Sequence, residues 1–344
     1  MSHSTVPRSR AEADTTAKSP VASDGATGPG GKPPSGKPSL RHRFGRDRLL
    51  LLMTLPAVVL VLLFNYVPIL GNVVAFQDYD PYISENGIVS IWNSPWVGLE
   101  NFQRIFEDSA FWQAVENTLV LFFLQLVLFF PIPVLLALLI NSVVRPRVRA
   151  IAQAVLYLPH FFSWVLVIAV FQQLLGGAGL LSTLLRDHGY DGLDLMTDPS
   201  TFKFLVTAQA VWKDAGWGII VFLAALAAVS PDLYEAAAMD GANRWRRMWH
   251  VTLPALRPVI ALLLVLRVGD ALTVGFEQIL LQRDAVGPGA SEVLDTFVWW
   301  NGVRNQDFGY AAAAGLVKGV ISIGLVLAAN KVAHLMGEQG VYKK

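Results

Sequence analysis

Residues 230–258 read SPDLYEAAAMDGANRWRRMWHVTLPALRP, a polar stretch set between two long apolar blocks. Ser230 is suited to cap a helix N-terminus, Pro231 to fill the first helical position, and Asp232 to complement the helix dipole. Glu235, Ala236, Ala237 and Ala238 are strong helix formers. Gly241, next to Asp240, can take the left-handed conformation that ends such a helix. A second short helix is expected over 243–249, carrying Arg244, Arg246 and Arg247, with Pro254 as its stop. The stretch therefore predicts a helix–turn–helix held at a membrane face. Its small alanine face suits a groove on another protein. The plainer alternative is an amphipathic loop whose arginines touch lipid headgroups.

The flanking blocks are what bring in the membrane. Hydrophobic residues make up 53% of the 344, charged residues only 15%, and mean hydropathy is +0.46, whereas soluble chains run nearer a quarter charged. Six spans are predicted, at 49–64, 118–140, 150–175, 204–229, 259–281 and 310–335. The last five exceed the ~20 residues that cross the hydrocarbon. Helices are required, because backbone groups in lipid must pair within their own segment. The alternating ten-residue segments of an outer-membrane barrel are not seen. The expected fold class is an all-α polytopic membrane protein.

Arginine and lysine placement sets the expected orientation. If the N-terminus is cytoplasmic, the inner flanks carry Arg41, Arg43, Arg46 and Arg48, then Arg145, Arg147 and Arg149. They continue with Arg244, Arg246, Arg247 and Arg257, and end with Lys331, Lys343 and Lys344. The outer loops hold only Arg104, Arg186, Lys203, Arg283 and Arg304. Both termini are therefore expected in the cytoplasm, the chain crossing the cell membrane several times. The organisation expected is a disordered tail over 1–40, a first span with a long external loop over 41–112, a membrane core over 113–335 and a short cytoplasmic tail over 336–344. The apolar run after Arg48 is read as a span, not a signal peptide, since its n-region would be too long and no small-residue cleavage site follows. In the tail, Pro33 and Pro38 follow Gly31-Lys32 and Gly36-Lys37, where a phosphate loop needs Ser or Thr.

Several function classes lose their footing. The net charge of +1 gives no electrostatic case for nucleic acid. The absence of cysteine removes disulfides, thiolate metal sites and cysteine nucleophiles. A membrane enzyme needs a nucleophile or an acid–base pair at a water interface, and neither Gly-x-Ser-x-Gly nor His-Glu-x-x-His occurs. A proton- or sodium-coupled carrier predicts inverted repeats, which are not visible.

Charged groups inside spans are costly and usually face the protein interior. In the expected fifth span, Arg267, Asp270, Thr273 and Glu277 fall on one helical stripe at 100° per residue. That stripe fits a polar path for a hydroxyl-rich solute. Equally, Arg267 and Asp270 form an i, i+3 pair that neutralises itself. His160, after Pro159, suits a kink or packing role, with a place on the path as the alternative. No second ligand at metal spacing accompanies it, so no metal site is expected. Lys213-Asp214 and Lys318 are expected to pair across helices, and Gly315-x-x-x-Gly319 permits close helix contact.

Glu235-Ala236-Ala237, three residues, Gly241, nine residues, Val251, one residue and Leu253-Pro254 resemble the signature of binding-protein-dependent ABC importer permeases. Valine stands where isoleucine is more usual. Chance would give such a match at roughly one start in 10^6 to 10^7. Phe76-Gln77-Asp78-Tyr79, Val97 to Phe102, Tyr157 to Phe161 and Gly275 to Ile279 resemble the maltose-permease-like sugar class, and within it the lipoprotein-linked oligosaccharide branch. The resemblance implies an ABC type I importer transmembrane domain. It further implies a second permease subunit, a cytoplasmic ATPase dimer that binds the ATP, an extracellular or lipid-anchored binding protein and a carbohydrate substrate. The chain itself would bind no cofactor. Glu235, Ala236, Ala237, Asp240, Gly241, Leu253 and Pro254 would make the ATPase contact.

Overall fold

The computed structural model describes residues 48–335. Its regular elements are helices, joined by one isolated antiparallel bridge between Gln77 and Trp96. Among the described residues, six helices are long and apolar enough to cross a membrane: Leu52–Phe76, Ser109–Asn141, Trp164–Asp187, Phe202–Ala227, Arg244–Gly269 and Phe308–Val332. The expected tails over 1–40 and 336–344 lie outside the described residues. The chain divides into two compact units, Met1–Leu62 and Leu63–Lys344. The described part of the first is the helix Arg48–Val61 with Leu62, where a π turn begins.

The second unit holds α1 (Ser109–Leu124), α2 (Pro131–Asn141), α3 (Pro146–Tyr157), α4 (Trp164–Leu175), α5 (Phe202–Ala227), α6 (Pro231–Met239), α7 (Arg244–Arg247), α8 (Leu253–Gly269) and α9 (Phe308–Leu335). Three apolar clusters hold these helices together. Phe111 of α1 meets Leu294, Phe297 and Tyr310. Leu121 and Phe122 meet Phe202 of α5 and Ile279. Val134 and Ile140 of α2 meet Ile219 and Phe222 of α5 and Leu256 of α8. Lipid tails are as apolar as leucine, so close packing rather than transfer from water does the holding. The closest approach is at Gly216 of α5, where an added Cβ would fall 1.8 Å from the Leu156 carbonyl oxygen, while at Gly218 it would lie 2.9 Å from the Pro133 ring.

Prolines shape the helices in a regular way. Proline lacks an N–H and its ring crowds the carbonyl four residues back. Before Pro131 the chain widens into a π turn over Gln125–Phe129, and Phe130 N–H donates to the Gln125 carbonyl. Before Pro254 it does so over Met248–Thr252, with Leu253 N–H donating to the Met248 carbonyl. Such one-turn bulges accommodate the ring without ending the helix. Pro254 is therefore not the expected stop: α7, the π turn and α8 run as one helix from Arg244 to Gly269.

Two spans differ from the sequence expectation. The third was expected to be continuous over 150–175. Instead α3 gives way to a 3-10 turn at Leu158–Phe161, and α4 starts anew with Ser163 as its cap. Pro159 withholds an N–H there, and no π turn compensates. The fifth was expected over 259–281, but its helix ends at Gly269. Residues 270–275 turn away, and Gly275 takes φ +54, open to glycine but strained for other residues. Phe276–Leu280 is a separate short helix. The stripe of Arg267, Asp270, Thr273 and Glu277 on one helix face does not exist, because the helix carrying it stops after Gly269.

The segment before α1 is pinned to the start of α9. Asn101 donates to the Ala75 and Gln77 carbonyls, each at 3.1 Å. Arg104 pairs with Asp307 at 2.7 Å, and Tyr310 donates to Asp108 at 2.5 Å. Between α8 and α9, Arg283 is buried with Glu292 at 2.5 Å and lies over the Trp300 ring.

Candidate functional site

The loop 230–258 forms the expected first helix. The Ser230 hydroxyl accepts from Asp232 N–H at 3.3 Å, and Pro231 opens α6. Gly241 takes φ +74. Its N–H donates to the Ala238 carbonyl at 3.0 Å, and Ala242 N–H to the Ala237 carbonyl at 2.9 Å. Those two bonds make a Schellman stop. Asn243 then caps α7 by accepting from Arg246 N–H at 2.9 Å.

The loop is open to its surroundings. Glu235, Ala236, Asp240 and Gly241 are exposed and Ala237 is half-buried. Leu233, Met239 and Trp245 expose 54%, 88% and 69% of their surface. Leu233 and Met239, on α6, and Trp245, on α7, place apolar groups at the outer surface of the loop. Nothing lies within 4 Å of a Cβ built on Gly241, so the turn leaves room beside it. One clasp ties α6 to the next helix: Tyr234 Oη meets Thr252 Oγ1 at 3.2 Å, inside the π turn. Leu253 and Pro254 are half-buried at the start of α8.

A layer of polar groups crosses the helices at mid-depth. Gln125 lies midway along the helix Ser109–Asn141, and Lys213 and Asp214 lie midway along α5. Asp214 takes the His160 ring at 2.8 Å, and Lys213 Nζ donates to the His160 backbone carbonyl at 2.7 Å. His160 stacks on Trp217, centroids 4.6 Å apart. The broken third span is thus fastened to α5 through the His160 carbonyl, which the interrupted helix leaves without a backbone partner. Arg267 donates to Gln125 Oε1 and lies over the Phe129 ring.

Lys318 pairs with Asp295 and not with Lys213-Asp214. The expected cross-helix pairing is therefore replaced by two separate pairs, because the helix ending at Trp299 brings Asp295 to α9. Gly315 and Gly319 have nothing within 4 Å of a built Cβ, so their close-contact face is unfilled within this chain.

A cavity of about 640 Å³ is lined by Asn72, Tyr79, Thr273, Asp295, Trp299 and Phe308 among others. Rings, an amide, a hydroxyl and a carboxylate are the groups that grip sugar faces and hydroxyls. Of the five residues expected on a path, only Thr273 lines it. Asp270 and Glu277 are exposed, and Arg267 and His160 belong to the mid-depth layer. Gln125, Asp295 and Trp299 were not singled out from the sequence. Gln125 carried a readable signal, as the one polar residue between Leu119 and Phe130. Asp295 and Trp299 carried none, since only the turn at 270–275 folds their helix back among the spans.

Residues 129–335 match the family model described as binding-protein-dependent transport system inner membrane component. Among curated proteins, the chain is 43% identical to a polygalacturonan/rhamnogalacturonan transport system permease of Bacillus subtilis, over 86% of this chain and 91% of that one. It is 30% identical to an arabinooligosaccharide transport system permease of the same organism, over 84% and 90%. Among solved structures, it resembles a chain of a bacterial alginate ABC transporter in complex with an alginate pentasaccharide-bound periplasmic protein. The TM-score is 0.79 at 35% identity, over 88% of this chain and 99% of that chain.

Proposed function

Since the chain belongs to the family of binding-protein-dependent transport system inner membrane components, as the multi-pass permease subunit of a sugar ABC importer, we propose that loop 230–258 couples it to an ATPase on a separate subunit. The observation that carries this is the exposed, rigidly capped α6 with its left-handed stop at Gly241. Glu235 supplies an acidic contact, Ala236 and Ala237 permit close approach, and Asp240 and Gly241 set the turn. Leu253 and Pro254 root the loop in α8. The ATP is bound by the ATPase dimer. Both termini lie in the cytoplasm, on the side of the loop.

A second permease subunit completes the path, and the open Gly315–Gly319 face of α9 supports a contact of that kind. An extracellular or lipid-anchored binding protein delivers an oligosaccharide to the opposite side. Within this chain the path is lined by the mid-depth groups Arg267 and His160 and by Thr273 at the cavity, with Asp270 and Glu277 exposed beyond the end of α8.

The test is co-purification with Gly241→Asp. Aspartate tolerates the left-handed φ of +74 at Gly241 better than most residues, and the exposed turn leaves space beside it, so membrane abundance should hold while the ATPase is lost and uptake stops. Wild-type uptake by that variant refutes the coupling role.

A further inference from the structure

Three buried or half-buried cations of the second unit have a carboxylate in contact. Lys213 has Asp214 at 3.7 Å, Arg283 has Glu292 at 2.5 Å, and Lys318 has Asp295. Arg267, half-buried beside Gln125, does not. Its partners are the neutral Gln125 amide oxygen and the Phe129 ring, whose centroid is 5.6 Å away. Asp270 and Asp214 act on it electrostatically, yet neither is in ion-pair contact. Asp214 is taken by His160 and Lys213, and Asp270 turns off the end of α8.

A guanidinium carries five N–H donors in a planar fork, and the Gln125 contact uses one of its nitrogens. At mid-depth, where water does not compensate charge, such a group marks a functional site whose partner is an anion. A neutral sugar needs no full charge, since amides and hydroxyls satisfy its hydroxyls. A carboxylate, by contrast, fits the fork with two parallel hydrogen bonds.

We propose that Arg267 reads a carboxylate on the transported sugar, so that the substrate is an acidic, uronate-bearing oligosaccharide. Gln125 and Phe129 act as positioning residues: the amide aims one edge of the guanidinium and the ring supports its face, leaving the other edge free for the substrate. The inference rests on the sugar-permease reading, and deepens it by naming the substrate class.

The test uses the full permease complex purified without its binding protein, followed by intrinsic tryptophan fluorescence. The probes are trigalacturonate and its carboxyl-reduced counterpart, which has the same linkages and no charge. Wild type should bind the acidic trimer at least about tenfold more tightly. Arg267→Gln should bring the two affinities together, with the loss falling chiefly on the acidic trimer. Arg267→Lys should recover part of the difference. Equal binding of both probes by wild type, no binding of the acidic trimer, or equal loss of both in Arg267→Gln overturns the inference. Binding needs no ATP, so these outcomes are separate from failure of the importer reading, which would show as absence of the ATPase from the wild-type complex.

Discussion

Gly216→Ala tests whether the broken third span must touch α5 as closely as it does. A Cβ at Gly216 runs into backbone, namely the Leu156 carbonyl and the Tyr157 Cα, and not into a side chain that can swing aside. The two helices must part by on the order of 1 Å, which forfeits a quarter to a half of each dispersion contact at the crossing. If the crossing holds about one large side chain's worth of contacts, ~40 pairs at ~0.15 kcal/mol, losing a third costs about 2 kcal/mol. The Lys213 bond to the His160 carbonyl spans the same crossing and should lengthen with it. At ~2.1 cal/mol/K of unfolding entropy per residue, a 344-residue chain should lose about 3 °C of melting temperature. The assay is thermal unfolding of the purified chain in detergent, with Gly315→Ala and Gly319→Ala as controls, because a Cβ at either meets nothing within 4 Å. A melting temperature unchanged in Gly216→Ala, or lowered equally in all three, refutes the reasoning.

Two further outcomes follow from the same packing. Glu292→Gln leaves the buried Arg283 guanidinium with only the exposed Asp284 carboxylate at 3.4 Å, which should cost about 1–3 kcal/mol and show as a lowered melting temperature or reduced membrane abundance. The chain has no native cysteine, so single cysteines report topology directly. A cysteine at Ser84 should react with an impermeant reagent added outside intact cells, and one at Asp240 only after the cells are opened; the reverse pattern would invert the orientation.

What the sequence made legible were features set by local chemistry. Ser230, Pro231 and Gly241 act through their own backbone neighbours, so the cap, the first turn and the left-handed stop followed from residue identity. The apolar blocks fixed the number of spans by length alone. Proline was read less well, because its effect depends on what the preceding turn does. Pro159 breaks a helix, whereas Pro131 and Pro254 follow π turns that absorb the missing N–H, and no residue pattern announced which would happen. The stripe at Arg267 to Glu277 failed for the same class of reason. A constant 100° step presumes an unbroken helix, and the Asp270–Gly275 turn ends that presumption. Pairings such as Lys318 with Asp295 depend on tertiary return of the chain and were beyond any local rule.

The continuity of Arg244 to Gly269 gives the coupling loop a mechanical reading. Because the π turn spares Pro254 from breaking the helix, residues 244–269 form one rod of about 38 Å at 1.5 Å per residue. One end carries the exposed loop and the other carries Arg267 and Asp270. A displacement imposed on α6 reaches the mid-depth layer only if α6 is fixed to the rod, and the described side-chain link between them is Tyr234 Oη to Thr252 Oγ1. Tyr234→Phe removes that bond and nothing else, at a cost of about 0.5–1.5 kcal/mol. That is too little to unfold the chain but enough to loosen the joint several-fold. The expected outcome is an ATPase that still co-purifies and still hydrolyses ATP, while the sugar moved per ATP falls several-fold and Thr252→Val reproduces the defect. Wild-type stoichiometry in both variants would mean that the backbone turn at Gly241 carries the motion unaided.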